Sequence, residues 1–143
     1  MGLFNSLDIS ASGLSAQRLR MDLITGNLAN VDTTRTASGG PFRRQLAVFE
    51  ARDYRFERAP GVQLPNAGGG VRVVGIIDDQ SPLKQVYDPT HPDADADGYV
   101  FYPNVNPIYE MADLIAASRA YEANLSCLEM SKNMIQRALT IGR

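Results

Sequence analysis

Asn106–Arg143, NPIYEMADLIAASRAYEANLSCLEMSKNMIQRALTIGR, decides the architecture, because after Pro107 no proline or glycine interrupts it before Gly142. Such a stretch predicts one helix, and at ~1.5 Å per residue it is a rod on the order of 50 Å long. A small domain cannot bury a rod of that length along its whole side, so part of its apolar surface must find a partner outside the domain. Met111, Leu114, Ser118, Tyr121, Leu125, Leu128, Lys132, Ile135 and Leu139 step alternately by three and four residues, and all but Ser118 and Lys132 are apolar or aromatic. That spacing is the seam of a coiled coil. Ile108, Ile115, Met130, Met134 and Ile141 add apolar surface beside the seam, and Ala116, Ala117, Ala120 and Ala123 leave room for close approach. One partner helix cannot cover all of it, which predicts several neighbours.

The ends of the stretch agree with a helix. Asn106 suits the N-cap and Pro107 the first helical position. Glu110 and Asp113 lie near the positive end of the dipole, with Arg137 and Arg143 near the negative end.

Working outward, the first thirty residues carry a second helical pattern. Leu7, Leu14, Met21 and Leu28 recur every seven residues, with Leu3, Phe4, Ala11 and Ile24 beside them, and no proline occurs before Pro41. Ser10, Ser12, Gly13, Gly26 and Asn27 lower the intrinsic propensity, so this helix needs a partner, and the C-terminal helix is the obvious one.

Between the helices the period is lost. Asn30–Pro41 is a turn-rich exit, and Phe42–Glu50 has strand character. Gly68-Gly69-Gly70 leads into Val71–Ile77, the clearest strand in the chain. The three glycines run into β-branched residues instead of a helix, so they read as a flexible hairpin connection and not a phosphate cradle. All eight prolines fall between Pro41 and Pro107. The expected fold is therefore α+β: an N-terminal helical segment (1–34) and a C-terminal helix (106–143) pairing as an α-helical coiled coil, with a small loop-rich β insert (35–105) between them.

Composition removes several function classes. A formal net charge of -2 gives no basic footprint for nucleic acid. One cysteine, Cys127, excludes an internal disulfide framework, and its place inside the helix suggests an inert, partly packed thiol. The only histidine, His91, sits in a Pro/Asp-rich loop without an orienting scaffold. No nucleophile with an adjacent base and no cofactor fingerprint is visible, so neither an enzyme nor a cofactor is expected. Met1–Ser6 formally matches a myristoylation pattern but has no polybasic second signal, and neither a cleavable secretory signal nor a membrane span is expected.

Two charge features stand out. Arg43, Arg44, Arg52, Arg55 and Arg58 cluster on one arm, while Asp78, Asp79, Asp88, Asp93, Asp95 and Asp97 accumulate on later loops; beside plain solvated surface, this suggests head-to-tail complementarity between subunits. Asp93-Ala94-Asp95-Ala96-Asp97-Gly98 copies the first half of an EF-hand loop. Position twelve of that loop is Asn104 instead of glutamate, and Pro92 and Pro103 replace the flanking helices. A calcium-binding module is the competing reading to an acidic turn entering the strand Tyr99–Tyr102.

The order of these segments resembles the bacterial flagellar axial proteins, and within them the proximal-rod branch. Gly26–Val31 followed by Asp32–Thr36, the Gly39–Arg44 continuation, Tyr87–Val100 running into Pro103–Pro107, Ser118–Asn124 and Leu139–Arg143 carry the resemblance over essentially the full length. It singles out Asn27, Asn30, Thr33, Gly98, Tyr99, Asn104, Asn106, Ser118, Arg119, Tyr121 and Asn124 as motif residues. Asp88–Val100 and the short insert favour the proximal-rod branch over a sibling rod subunit. The resemblance implies a structural role: a subunit exported unfolded through the flagellar type III apparatus without a cleaved signal. It would polymerise with itself and other rod proteins into the shaft that crosses the periplasm around the export channel. Its expected interface residues are the two seams, Leu7, Leu14, Met21 and Leu28 with Met111, Leu114, Tyr121, Leu125, Leu128, Ile135 and Leu139.

Overall fold

Asn106 opens the C-terminal helix as its side chain permits. Its Oδ1 accepts the Ile108 amide at 3.0 Å, and its carbonyl accepts the Glu110 amide at 3.0 Å, which satisfies two amides of the first turn. The computed structural model describes residues 3–37, 39–53 and 68–141. In chain order it contains α1 (Leu3–Ala29), β1 (Gln45–Asp53), β2 (Gly68–Asp78), β3 (Lys84–Tyr87), β4 (Tyr99–Tyr102) and α2 (Pro107–Ile141). With 27 and 35 residues, the two helices are rods of ~40 and ~50 Å.

The helices run antiparallel. Asn27 bonds Glu110, Arg20 bonds Asp113, and Gly13 lies against Asn124, so residues rising along α1 meet residues falling along α2. The hydroxyls that weaken α1 as an isolated helix are turned back onto its own carbonyls: Ser15 to Ala11 and Thr25 to Met21, each one turn away. At its end Asn30 Nδ2 caps the Gly26 carbonyl at 2.9 Å, and Thr33 Oγ1 donates to Asn30 Oδ1, which fixes the exit turn.

Among the described residues the strands form two separate antiparallel pairs, β1 with β2 and β3 with β4. β1 starts at Gln45 rather than Phe42, because the Phe42 amide is taken by the Thr33 carbonyl in the exit turn. Its ladder with β2 shifts register between Val48 and Phe49. Strand β3 is not legible as a strand: Lys84-Gln85-Val86-Tyr87 is only four residues long and shows no polar–apolar alternation.

The three glycines are not a loose connection. Gly68–Gly70 begin β2, Gly69 is buried, and a Cβ on Gly70, whose φ is +96°, would collide with the Ser12 hydroxyl of α1. That hydroxyl donates to the Ile9 carbonyl at 2.7 Å and accepts the Val71 amide at 3.1 Å, so absence of side chains is what lets the strand ride on the helix.

Among the described residues the apolar core is small: Ala16, Ile24, Val100, Val105 and Ala117 are its buried members, whereas many large apolar side chains remain at the surface. No helix among the described residues is long and apolar enough to cross a membrane.

Candidate functional site

The seam between the helices is narrower than the sequence pattern suggests. Leu114, Tyr121, Leu128 and Ile135 are half-buried, and the alternate seam positions are Glu110, Ala117, Asn124 and Ser131, three of them buried. Met111, Leu125 and Leu139, expected in the same seam, are exposed, as is Lys132. The reason is angular: each lies one residue, ~100°, beyond the face that meets α1. Small and polar residues at the contact let the backbones approach and leave the bulky side chains on the flank. On α1, Leu7, Leu14, Met21 and Leu28 are all half-buried, while Asp8, Ala11, Ser15, Arg18, Asp22, Thr25 and Ala29 form an exposed stripe stepping by three and four.

Around the seam, α2 therefore carries unpartnered apolar surface. Ile108 is 76% exposed, Leu139 70% and Met130 58%, and Met111, Ile115, Leu125 and Met134 are exposed too. A monomer has no use for so many large exposed apolar groups on one helix. On the insert, Phe49, Val74, Ile76 and Ile77 are also exposed.

At the other end of the helix pair a polar junction ties everything together. Asn27 and Glu110 are each only 1% exposed. Glu110 Oε1 accepts Arg44 Nε at 2.6 Å, and its Oε2 accepts Asn27 Nδ2 at 3.1 Å. Asn27 clamps the backbone of Gln45 in both directions, accepting its amide at 2.8 Å and donating to its carbonyl at 3.0 Å. Asp113 takes Arg44 on one oxygen and Arg20 on the other, both at 3.3 Å. Asn104 Oδ1 accepts the Arg44 amide at 2.9 Å, while Asn104 Nδ2 donates to the Asp79 carbonyl at 3.1 Å and to Ser81 Oγ at 2.8 Å. The Ser81 amide and hydroxyl in turn hold the Asp79 carboxyl below its ordinary value, with Arg44 and Arg43 adding attraction.

This geometry revises the charge reading. Arg44 is spent inside the chain on Glu110 and Asp113, and Arg43 donates to the Asp79 carbonyl at 3.1 Å, so neither is a free arm awaiting a neighbour. Arg55 and Arg58 lie outside the described residues. Asn27 and Asn104 stand out in the sequence only through the resemblance, and the partnership of Glu110 with Arg44 is not among its expectations. The available signal was a carboxylate falling one heptad before buried Ala117, on the face that meets α1.

The remaining motif residues serve the turns and the close approach. Gly98 is buried at φ +79°, and a Cβ there would press on the Tyr87 ring at 3.0 Å; Tyr87 meets Tyr99 edge-on at 5.3 Å between centroids. Asn124 bonds the Ala120 carbonyl at 2.9 Å and sits against Gly13. Ser118 is half-buried, Arg119 is exposed, and Cys127 is exposed instead of partly packed. Asp93 is occupied by the Thr34 hydroxyl at 2.8 Å and by Arg35 at 3.8 Å. Among the described residues no three His, Cys, Asp or Glu side chains converge as metal ligands.

The sequence matches known families and proteins along its length. Residues 7–35 match the family described as "Flagella basal body rod protein", and residues 96–141 match "Flagellar basal body rod FlgEFG protein C-terminal". The flagellar basal-body rod protein FlgC of Borreliella burgdorferi is 50% identical over 99% of this chain and 98% of its own length. Its counterparts in Bacillus subtilis and Salmonella typhimurium are 45% and 41% identical, each over the full length of both chains. The chain belongs to the flagellar basal-body rod protein FlgC family, a family of structural, non-enzymatic subunits of the bacterial flagellar rod.

Proposed function

We propose that this chain builds the proximal part of the flagellar rod by packing the open faces of its helix pair against copies of itself and against other rod proteins. One observation carries the reading: α2 leaves Ile108, Met111, Ile115, Leu125, Met130, Met134 and Leu139 exposed around a seam that already holds α1. Burying such side chains contributes ~1.5–3 kcal/mol each, enough to drive association once several engage together. The interface set is then Met111, Leu125 and Leu139 toward neighbours, with Leu7, Leu14, Met21, Leu28, Leu114, Tyr121, Leu128 and Ile135 holding the pair. In this reading 1–34 and 106–143 form the helical unit of the tube wall, and 35–105 the outer insert.

The same subunit reaches the rod by the flagellar type III export apparatus. A small core and an α1 rich in serine and glycine suit a chain that must pass through export unfolded and order fully on docking. Electron microscopy of basal bodies from cells lacking the gene tests the assignment. A rod missing beyond its base, restored by the wild-type chain, is expected; complete rods and filaments in the deletion would overturn it.

A further inference from the structure

A buried carboxylate is tolerated only where it is paired and hydrogen-bonded, and Glu110 obtains its cationic partner from outside the helix pair. Arg44 stands immediately before β1, and its placement depends on two insert contacts, its amide on Asn104 and its carbonyl on the Asp79 amide at 2.8 Å, and on the neighbouring Gln45 backbone that Asn27 of α1 holds. If α1 closed on α2 before the insert was in place, Glu110 would lie against Asn27 without the guanidinium that Arg44 supplies. Asn27, equally buried, would lose both backbone partners at Gln45.

We propose that Glu110 is a latch that makes docking of α1 on α2 conditional on placement of the β insert, so that helices and insert order as one unit. The apolar seam alone does not require this coupling, since Leu114, Tyr121, Leu128 and Ile135 can meet α1 whatever the insert does. An apolar side chain at position 110 would remove the condition, because the helices could then close over a neutral surface. The inference rests on the geometry of the single chain and stands apart from the rod assignment.

The test uses the full chain, with hydrogen exchange followed separately in α1, α2, β1 and β2. In the wild type these elements are expected to open together. Arg44→Met leaves Glu110 buried without its cation and should lower protection at the Asn27 and Glu110 ends of the helices on the order of 100-fold, although residue 44 belongs to neither. Adding Glu110→Met in the same chain should return helix protection to within about tenfold of wild type while β1 and β2 stay fast. If Arg44→Met unfolds the chain altogether, the double variant still decides the matter. Failure of the double variant to recover the helices, or an Arg44→Met chain that loosens only the insert, would overturn the latch. So would wild-type helices that exchange freely while β1 and β2 remain protected.

Discussion

Gly13 of α1 lies so close to Asn124 of α2 that a Cβ on the glycine would meet the Asn124 amide atoms at 3.1 Å. Asn124 cannot simply swing aside, because its Nδ2 is bonded to the Ala120 carbonyl at 2.9 Å. A glycine in mid-helix costs ~1 kcal/mol against alanine, so its presence here marks a contact worth at least that much. Gly13→Val should therefore lower stability by ~1–3 kcal/mol through overpacking, in spite of the lower backbone freedom of valine in the unfolded chain. Gly13→Ala combined with Asn124→Ala should be more stable than Gly13→Ala alone. Urea denaturation of the three variants checks both statements, and equal midpoints for the last two would show that the helices are not held apart at this point.

Leu125 and Leu128 separate folding from assembly. Leu128 is half-buried against α1, whereas Leu125, three residues earlier, is exposed on the flank. Leu128→Asp puts a charge into the helix contact and should lower the thermal midpoint of the isolated chain by several degrees, equivalent to ~2 kcal/mol or more. Leu125→Asp should leave that midpoint within a degree or two while abolishing rod formation and motility. Circular dichroism melting with a swarming assay distinguishes them; normal motility with Leu125→Asp would remove the α2 flank from the interface.

The helices were legible because their signals are long and mutually consistent: uninterrupted spacing, a proline at the first position and an asparagine before it. Which half of each heptad would face α1 was not, because the apolar pattern favours Met111 and Leu125 while the fold uses Glu110, Ala117 and Asn124. Hydrophobicity marks what can be buried; in a chain that packs against several neighbours it does not say by which neighbour. The junction was invisible for a related reason. Arg44, Glu110 and Asn27 lie far apart in sequence, and each alone is an ordinary polar residue of a turn or helix end. Only their convergence gives them a shared role, and a resemblance can mark such residues without revealing what they touch. The role of the glycines at 68–70 is hidden in the sequence because their partner, Ser12, lies on another element.

Asp88 gives the insert an acid-sensitive turn. The Thr90 hydroxyl and amide both donate to Asp88 Oδ1, at 2.6 and 3.1 Å, and together with His91 they hold the carboxyl below its ordinary value of 3.8. A carboxyl whose value is lowered in the folded chain stabilises the fold above its ordinary value, and that contribution disappears as pH falls from 3.8 through the lowered value. Titration of the Asp88 carboxyl by NMR should place it below 3.8, and Thr90→Val should move it upward. A carboxyl that titrates at its ordinary value in the wild type would mean that the turn is not held by Thr90.

Asp93 decides the remaining question about the acidic loop. A calcium loop needs its first carboxylate free to turn inward, but Asp93 Oδ2 accepts the Thr34 hydroxyl at 2.8 Å and Oδ1 lies 3.8 Å from Arg35. Arg35 is largely exposed, so that ion pair contributes ~0–1 kcal/mol, and the hydroxyl bond is the stronger tether between the exit turn of α1 and this loop. Asp93→Ala should accordingly reduce stability by about 1 kcal/mol in calcium-free buffer, with Thr34→Val reproducing most of the effect. Millimolar calcium should produce no binding heat and no change in melting temperature for the wild type. A calcium-dependent rise of several degrees that Asp93→Ala abolishes would show instead that Thr34 and Arg35 merely hold the carboxylate until a cation displaces them.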